Sequence, residues 1–200
     1  MRERSTMKSD VPVVYITNIP ANKFGIGKRG IAELLSNAAH AILGSLFPEE
    51  RVMRAEHGKP YFEDREERFS ISHSGILSAV AVSDSEIGVD IERVRPLRPA
   101  LVSKFVSDRD RSCALCGESE EEFCIRMWSA KEAYLKYTGE GICSYPCGVS
   151  VLEDSVLGAP YRFFRVCDPL GDIYILSVVG PGALSARALF ISPGDLPSCT

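Results

Sequence analysis

Hydrophobic and polar residues follow two different periods along this chain, which predict helices as well as strands. In the first half, apolar side chains keep the 3.6-residue period of an amphipathic helix, at Ile31, Leu34, Leu35, Ala38, Ile42, Leu43 and Leu46. Short apolar or alternating runs predict strands over residues 11–16, 69–72, 77–82, 87–92, 161–167, 173–179 and 186–191. The turn at Asp84-Ser85 predicts that strands 77–82 and 87–92 form a hairpin.

The second half begins with helical segments over residues 100–105 and 107–117. A Ser-x-x-Glu capping pattern at Ser119 and Glu122 starts a longer helix from Glu120 to about Tyr137, which Gly139 ends. The proline-rich segment 95–99 breaks regular structure between the two parts of the chain. We therefore expect an α+β protein with an N-terminal half, 1–98, and a C-terminal half, 99–200, each with an antiparallel sheet and helices.

Composition restricts the functional classes. The 200 residues are 45% hydrophobic and 25% charged, with a net charge of -4, which gives no support for nucleic-acid binding. The start of the chain lacks the apolar core of a signal peptide, and no apolar run approaches the roughly 20 residues of a membrane span, so we expect a cytoplasmic protein. Seven cysteines without an export signal predict reduced thiols.

Three carboxylates are the strongest chemical signal. Asp90 and Glu92 are two residues apart on a predicted strand, so both side chains point to one face, while the apolar residues between and before them fill the other. A third acid, Glu132, lies on the long helix, with Lys136 one turn later. Hard oxygen ligands of this kind suit Mg2+, and a lysine beside them suits a phosphate.

Each of these residues also has a simpler interpretation. Acids at the end of a strand are usually solvated, and Glu132 with Lys136 is an ordinary helical ion pair.

Gly88, in the same strand as the acids, would leave the backbone accessible to a ligand. Two cysteine pairs, Cys113 with Cys116 and Cys143 with Cys147, predict a structural zinc site as a minor alternative.

Four motifs in fixed order resemble the 4'-phosphopantetheinyl transferase superfamily, and its two-half, single-chain, Sfp-like branch fits the length best. Each motif is weak alone, but their order and spacing over residues 57–141 are specific. The motifs are Gly58-Lys59-Pro60, Phe69-Ser70-Ile71-Ser72-His73-Ser74-Gly75, Ile87-Gly88-Val89-Asp90-Ile91-Glu92, and Trp128-Ser129-Ala130-Lys131-Glu132-Ala133 followed by Lys136.

The resemblance implies two similar halves in a pseudo-twofold arrangement with the active cleft between them, in a monomer. It implies transfer of the 4'-phosphopantetheine group of coenzyme A to a serine of an apo acyl or peptidyl carrier protein, with release of 3',5'-ADP. By the same resemblance, Asp90, Glu92 and Glu132 hold Mg2+, and Lys136 contacts the phosphates. The resemblance also implies that Lys59, Ser72 and His73 bind the adenosine-3'-phosphate end of coenzyme A.

The resemblance leaves the base that deprotonates the carrier serine open between Glu132, Asp110 and a metal-bound water. Asp110 has a second interpretation, as the partner of Ser107 in a capping box at the start of a helix. Further basic contacts to coenzyme A are expected from the N-terminal half, where Lys23, Lys28 and Arg29 are available. Two alternatives to an enzyme stay open: a non-catalytic coenzyme A or nucleotide-binding module, and a zinc-dependent interaction protein.

Overall fold

The computed structural model of the protein describes residues 11–19, 27–141 and 148–196. Within these ranges the strands are β1 (Val13–Asn18), β2 (Val52–Arg54), β3 (Pro60–Phe62), β4 (Arg68–Ser74), β5 (Leu77–Ser83), β6 (Gly88–Arg93), β7 (Ser155–Val156), β8 (Ala159–Cys167), β9 (Ile173–Val179) and β10 (Arg187–Phe190). The α-helices are α1 (Lys28–Leu46), α2 (Pro99–Val102), α3 (Asp108–Arg111) and α4 (Glu120–Thr138). The predicted α+β class is confirmed.

The strands form two four-stranded sheets. In the first sheet the order is β10-β1-β5-β4, with β10 parallel to β1 and the other pairs antiparallel. In the second sheet the order is β6-β9-β8-β7, antiparallel throughout. Strands β2 and β3 pair as a separate two-stranded sheet.

Side-chain alternation arranges these elements in four layers. In β1, Val14 and Ile16 pack into a core shared with Val89 and Ile91 of β6, whereas Tyr15 points to the opposite face and the core beneath α1. A third core lies between the second sheet and α4. Because adjacent strand residues face opposite ways, each sheet buries both of its faces, and the order of layers is α1, first sheet, second sheet, α4.

The predicted hairpin between residues 77–82 and 87–92 is wrong. Strand β5 pairs with β1 and β4, whereas β6 pairs with β9, and Asp90 lies opposite Ser177. The turn at Asp84-Ser85 carries the chain from the first sheet to the second. An alternating pattern reports which side chains share a face of a strand, but it does not report which strand lies beside it.

Helix α4 forms as its sequence predicts and lies unusually close to β6. Ser119 and Glu122 make the predicted capping box, and Gly139 ends the helix in the left-handed conformation. A Cβ atom on Gly88 would lie 1.9 Å from the carbonyl oxygen of Ala133 in α4. The expectation that Gly88 exposes its backbone to a ligand is therefore wrong, because the glycine permits close packing of helix against strand.

The two sequence halves exchange strands between the sheets. Strand β6 precedes residue 98 but lies in the sheet formed by later residues, and β10 lies in the sheet formed by earlier ones. The boundary at residue 98 and a pseudo-twofold relation between the halves stay predictions. Among the described helices, none is both long enough and apolar enough to cross a membrane.

Candidate active site

A cleft of about 480 Å3 lies beside β4, β6 and the last turns of α4. It collects residues that are far apart in the sequence, because β4 and β6 are edge strands of different sheets and α4 packs across β6. Six of the predicted site residues line it: Lys59, Ser72, His73, Asp90, Glu132 and Lys136. Two others, Glu92 and Asp110, are not among its lining residues.

Asp90 lies on the face of β6 that is turned toward α4, since Val89 and Ile91 occupy the opposite face. The carboxylate is buried, and its Oδ1 accepts hydrogen bonds of 2.8 Å from the Ser72 hydroxyl and 2.8 Å from the Lys136 ammonium group. Its Oδ2 is buried with no hydrogen-bond partner among the described residues. One oxygen is thus held in place, and the other is available to a ligand.

Glu132 lies on α4 near Asp90 and is also buried. Burial, together with the negative charges of Asp90 and Glu92, raises the pKa of its carboxyl from 4.5 to about 7, although the positive charge of Lys136 acts in the opposite direction. Its Oε1 is buried and has no hydrogen-bond partner in the part of the chain that the structure describes. Glu132 is therefore an acid that exchanges its proton near neutral pH.

The donor atoms of this cleft fit a hard cation. Asp90 Oδ2 and Glu132 Oε1 are oxygen donors that no described protein group satisfies, and a buried polar atom without a partner is costly. Over the described ranges, no three His, Cys, Asp or Glu side chains are grouped as closely as a formed metal site requires. Magnesium therefore stays a prediction, supported by the two unsatisfied oxygens and by the chemistry of the acids.

Glu92 lies two residues beyond Asp90 on β6 and is half-buried. Its Oε2 accepts hydrogen bonds from the Ser74 hydroxyl at 2.9 Å and from the Arg95 guanidinium group at 3.1 Å. The predicted pairing of the two acids on one face is confirmed by the neighbouring positions of their serine partners on β4.

Lys59 joins the loop before β3 to the end of α4. Its ammonium group donates to Glu86 Oε2 at 2.6 Å and to the carbonyl oxygen of Tyr137 at 2.8 Å. An ammonium group carries three hydrogens, so one remains for a ligand in the cleft. His73 is exposed at the end of β4 and also lines the cleft.

The cleft contains basic residues that sequence reasoning missed. His40 of α1, Arg54 of β2 and His57 line it together with His73, so all three histidines of the chain meet here. His57 directly precedes the Gly-Lys-Pro motif and could have been noticed for that reason. His40 carried no such signal, because its position depends on how α1 lies across the first sheet.

The structure does not bring Asp110 into the cleft. The side chain is completely buried and accepts hydrogen bonds from the Lys131 ammonium group at 2.7 Å, the Ser107 amide at 2.8 Å and the Val151 amide at 2.9 Å. Burial opposes ionisation, but these donors together lower the pKa of Asp110. A carboxylate with its oxygens so occupied is a poor base, and the alternative prediction, a capping box with Ser107, is confirmed.

The predicted contacts from the N-terminal half are only partly described. Lys23 and the side chain of Lys28 lie outside the described residues, and Arg29 is exposed near the start of α1 and is not among the cleft residues. Of the cysteines proposed for zinc, Cys113 and Cys116 are free thiols that follow α3, which is shorter than the predicted helix. Cys143 and Cys147 lie outside the described residues.

Comparison with known proteins agrees with this geometry. Residues 86–174 match the family model of the 4'-phosphopantetheinyl transferase superfamily. The chain is 33% identical over 95 residues to the 4'-phosphopantetheinyl transferase Sfp of Bacillus subtilis strain 168, a match that covers 46% of this chain and 42% of Sfp. It is 38% identical over 76 residues to 4'-phosphopantetheinyl transferase psf-1 of Bacillus pumilus, covering 37% of this chain and 33% of that protein.

A third relative extends the comparison beyond the bacilli. The chain is 37% identical over 94 residues to 4'-phosphopantetheinyl transferase HetI of Nostoc, a match that covers 42% of this chain and 40% of HetI. In each case the chain spans less than half the length of the curated relative that it matches. The matched segment includes β6 and α4, which carry Asp90, Glu132 and Lys136. The resemblance to the 4'-phosphopantetheinyl transferase superfamily is therefore confirmed, over the segment that holds the acidic half of the cleft.

Proposed function

We propose that this protein transfers the 4'-phosphopantetheine group of coenzyme A to a serine of an apo acyl or peptidyl carrier protein and releases 3',5'-ADP. One observation carries the proposal: in the segment that matches the family, Asp90, Glu132 and Lys136 meet in a single cleft. The names of the relatives support the same reaction.

Mg2+ would be held by Asp90, Glu92 and Glu132, and it would neutralise negative charge on the pyrophosphate of coenzyme A. The unpartnered oxygens of Asp90 and Glu132 support this assignment. Lys136, which pairs with Asp90, would donate its remaining ammonium hydrogens to the phosphates. An ammonium group is suited to a phosphate because it acts as a point charge.

Glu132 is the base that the geometry supports best. Glu132 lines the cleft, and its Oε1 has no hydrogen-bond partner among the described residues, so this carboxylate oxygen can accept the proton of a bound serine. The carrier serine oxygen forms a bond to the phosphorus next to the pantetheine arm as that phosphorus loses its bond to the bridging oxygen. The proton of the serine moves to Glu132, and the bridging oxygen leaves with 3',5'-ADP.

The remaining cleft residues suit the other end of coenzyme A. Lys59 has one ammonium hydrogen to offer, and His73 is exposed to the cleft. The Ser72 hydroxyl already donates to Asp90, so it must release Asp90 before it can donate to a phosphate. We therefore assign the adenosine-3'-phosphate end first to Lys59 and His73, with Ser72 in a supporting role.

The test is to incubate the protein with coenzyme A, Mg2+ and a panel of apo carrier proteins, and then to weigh the carriers. We expect a mass gain of one phosphopantetheine group, and a rate at least about 100-fold lower in Glu132→Gln, because a general base contributes about that much or more. The matched control is Glu121→Gln, an exposed acid of the same helix.

Absence of a mass gain with every carrier would refute the proposal. If coenzyme A still bound tightly in that case, the chain would be a binding module, which is the alternative function. We also propose that the enzyme is a cytoplasmic monomer, to be tested by light scattering of the purified protein and by fractionation of cells.

A further inference from the structure

The two sheets meet at β4 and β6, which are edge strands without a backbone ladder between them. Serine side chains make the connection in its place. Ser70 Oγ accepts from the Val89 amide at 3.1 Å, and Ser74 Oγ accepts from the Arg93 amide at 3.2 Å. These two amides belong to the side of β6 that faces away from β9, and such groups need partners when they are removed from water.

The same row of serines also holds the two acids of β6. Ser72 donates to Asp90 Oδ1 at 2.8 Å, and Ser74 donates to Glu92 Oε2 at 2.9 Å. Because side chains repeat every two residues along both strands, residues 72 and 74 of β4 lie next to residues 90 and 92 of β6, respectively. In each acid, the oxygen bound by serine also binds a basic side chain, Lys136 for Asp90 and Arg95 for Glu92.

Ser74 is the one serine of this row that does not line the cleft. Arg95 is half-exposed, and an exposed ion pair holds a carboxylate only weakly. Without the Ser74 hydroxyl, Glu92 would keep only this pair, which lies on the solvent side of the strand. Ser72, in contrast, lines the cleft, so its loss would mix positioning with direct binding.

We propose that Ser74 is a positioning residue of the cation site: its hydroxyl joins the Arg93 amide to the Glu92 carboxylate and so orients Glu92 toward the site of Asp90 and Glu132. The proposal rests on the proposed function insofar as the site binds a divalent cation. A group that orients a metal ligand typically changes metal affinity by about 10- to 100-fold when it is removed.

The experiment measures binding of Mn2+, a spectroscopic substitute for Mg2+ with the same preference for oxygen ligands. Free and bound Mn2+ are separated by electron paramagnetic resonance, first with Mn2+ alone and then with coenzyme A present. We expect Ser74→Ala to weaken Mn2+ binding about tenfold or more, and Ser74→Thr, which keeps the hydroxyl, to restore it to within about threefold of wild type.

The matched control is Ser78→Ala. Ser78 is a fully buried serine of the neighbouring strand β5, and its hydroxyl has no hydrogen-bond partner among the described residues. We expect this variant to bind Mn2+ like the wild type. Coenzyme A binding without metal should be the same in Ser74→Ala and wild type, whereas a general loosening of the fold would weaken it.

Three outcomes overturn the proposal: unchanged Mn2+ affinity in Ser74→Ala, equal weakening in Ser74→Ala and Ser74→Thr, or no Mn2+ binding by the wild type under either condition. Failure of the proposed function has a different signature. In that case Mn2+ binds and depends on the Ser74 hydroxyl, yet no apo carrier gains mass.

Discussion

Burial of Glu132 beside other acids should make the metal-free protein less stable as the pH rises. The pKa of this carboxyl is raised from 4.5 to about 7, first by burial and then by the charges of Asp90 and Glu92. The folded state therefore binds the proton more tightly than the unfolded chain does. This contribution to the free energy of unfolding is fully present below about pH 4.5 and is lost as the pH rises through about 7.

The size of the effect follows from the shift in pKa. A rise from 4.5 to about 7 corresponds to about 3 kcal/mol, and most of it, about 2.5 kcal/mol, falls between about pH 5 and about pH 8. Glu132→Gln has nearly the same shape and cannot ionise. The free energy of unfolding of the wild type, minus that of this variant, should therefore fall by about 2.5 kcal/mol over that range.

The assay is urea unfolding in the presence of a chelator, followed by fluorescence of Trp128. This residue is the only tryptophan of the chain, and it packs edge to face against the buried Phe105, so its emission should change on unfolding. The control variant Glu121→Gln measures how much of the change in the free energy of unfolding comes from removing any negative charge from α4. Millimolar Mg2+ should reduce the pH dependence, because a cation stabilises the ionised carboxylates.

A difference between wild type and Glu132→Gln that stays constant from about pH 5 to about pH 8 would refute this reasoning. It would mean that Glu132 is solvated in the folded, metal-free protein and that burial does not raise its pKa.

Two further predictions concern the packing that supports the site. Gly88→Ala places a Cβ atom 1.9 Å from the carbonyl oxygen of Ala133, so it should lower the free energy of unfolding by about 3 kcal/mol or more. The control, Gly44→Ala, adds a Cβ atom in open space on α1 and should raise the free energy of unfolding by up to about 1 kcal/mol. Urea unfolding measures both variants. Lys131→Met removes the partner of the buried Asp110 and should lower the free energy of unfolding by about 3–5 kcal/mol. Lys131→Met combined with Asp110→Asn should recover part of that stability. If the double variant recovers none of it, the ion-pair argument is contradicted.

Local pattern predicted the elements that carry the acidic site. Alternation around Asp90 placed that acid and Glu92 on one face of a strand, and the capping box at Ser119 located the start of α4. Order and spacing of the motifs also identified six of the residues that line the cleft. The alternation and the capping box depend on neighbours a few residues apart, and such short-range geometry is nearly the same in every fold.

Interpretations that required a partner from elsewhere in the chain succeeded less often. Gly88 seemed to open the backbone to a ligand, but it admits α4. Asp110 seemed available as a base, but Lys131 and Val151 occupy it. Ser74 carried no predicted role, although it binds both Glu92 and the amide of Arg93.

The amino-acid sequence by itself determined that Asp90 and Glu92 share one face of a strand and that Glu132 and Lys136 lie one turn apart on a helix. Only the tertiary structure decided that β6 leaves the sheet of β5 to pair with β9, and that serines of β4 join it across the gap. The physical reason is that periodicity encodes the direction of a side chain, whereas the identity of its neighbour depends on the burial of apolar surface summed over the whole chain.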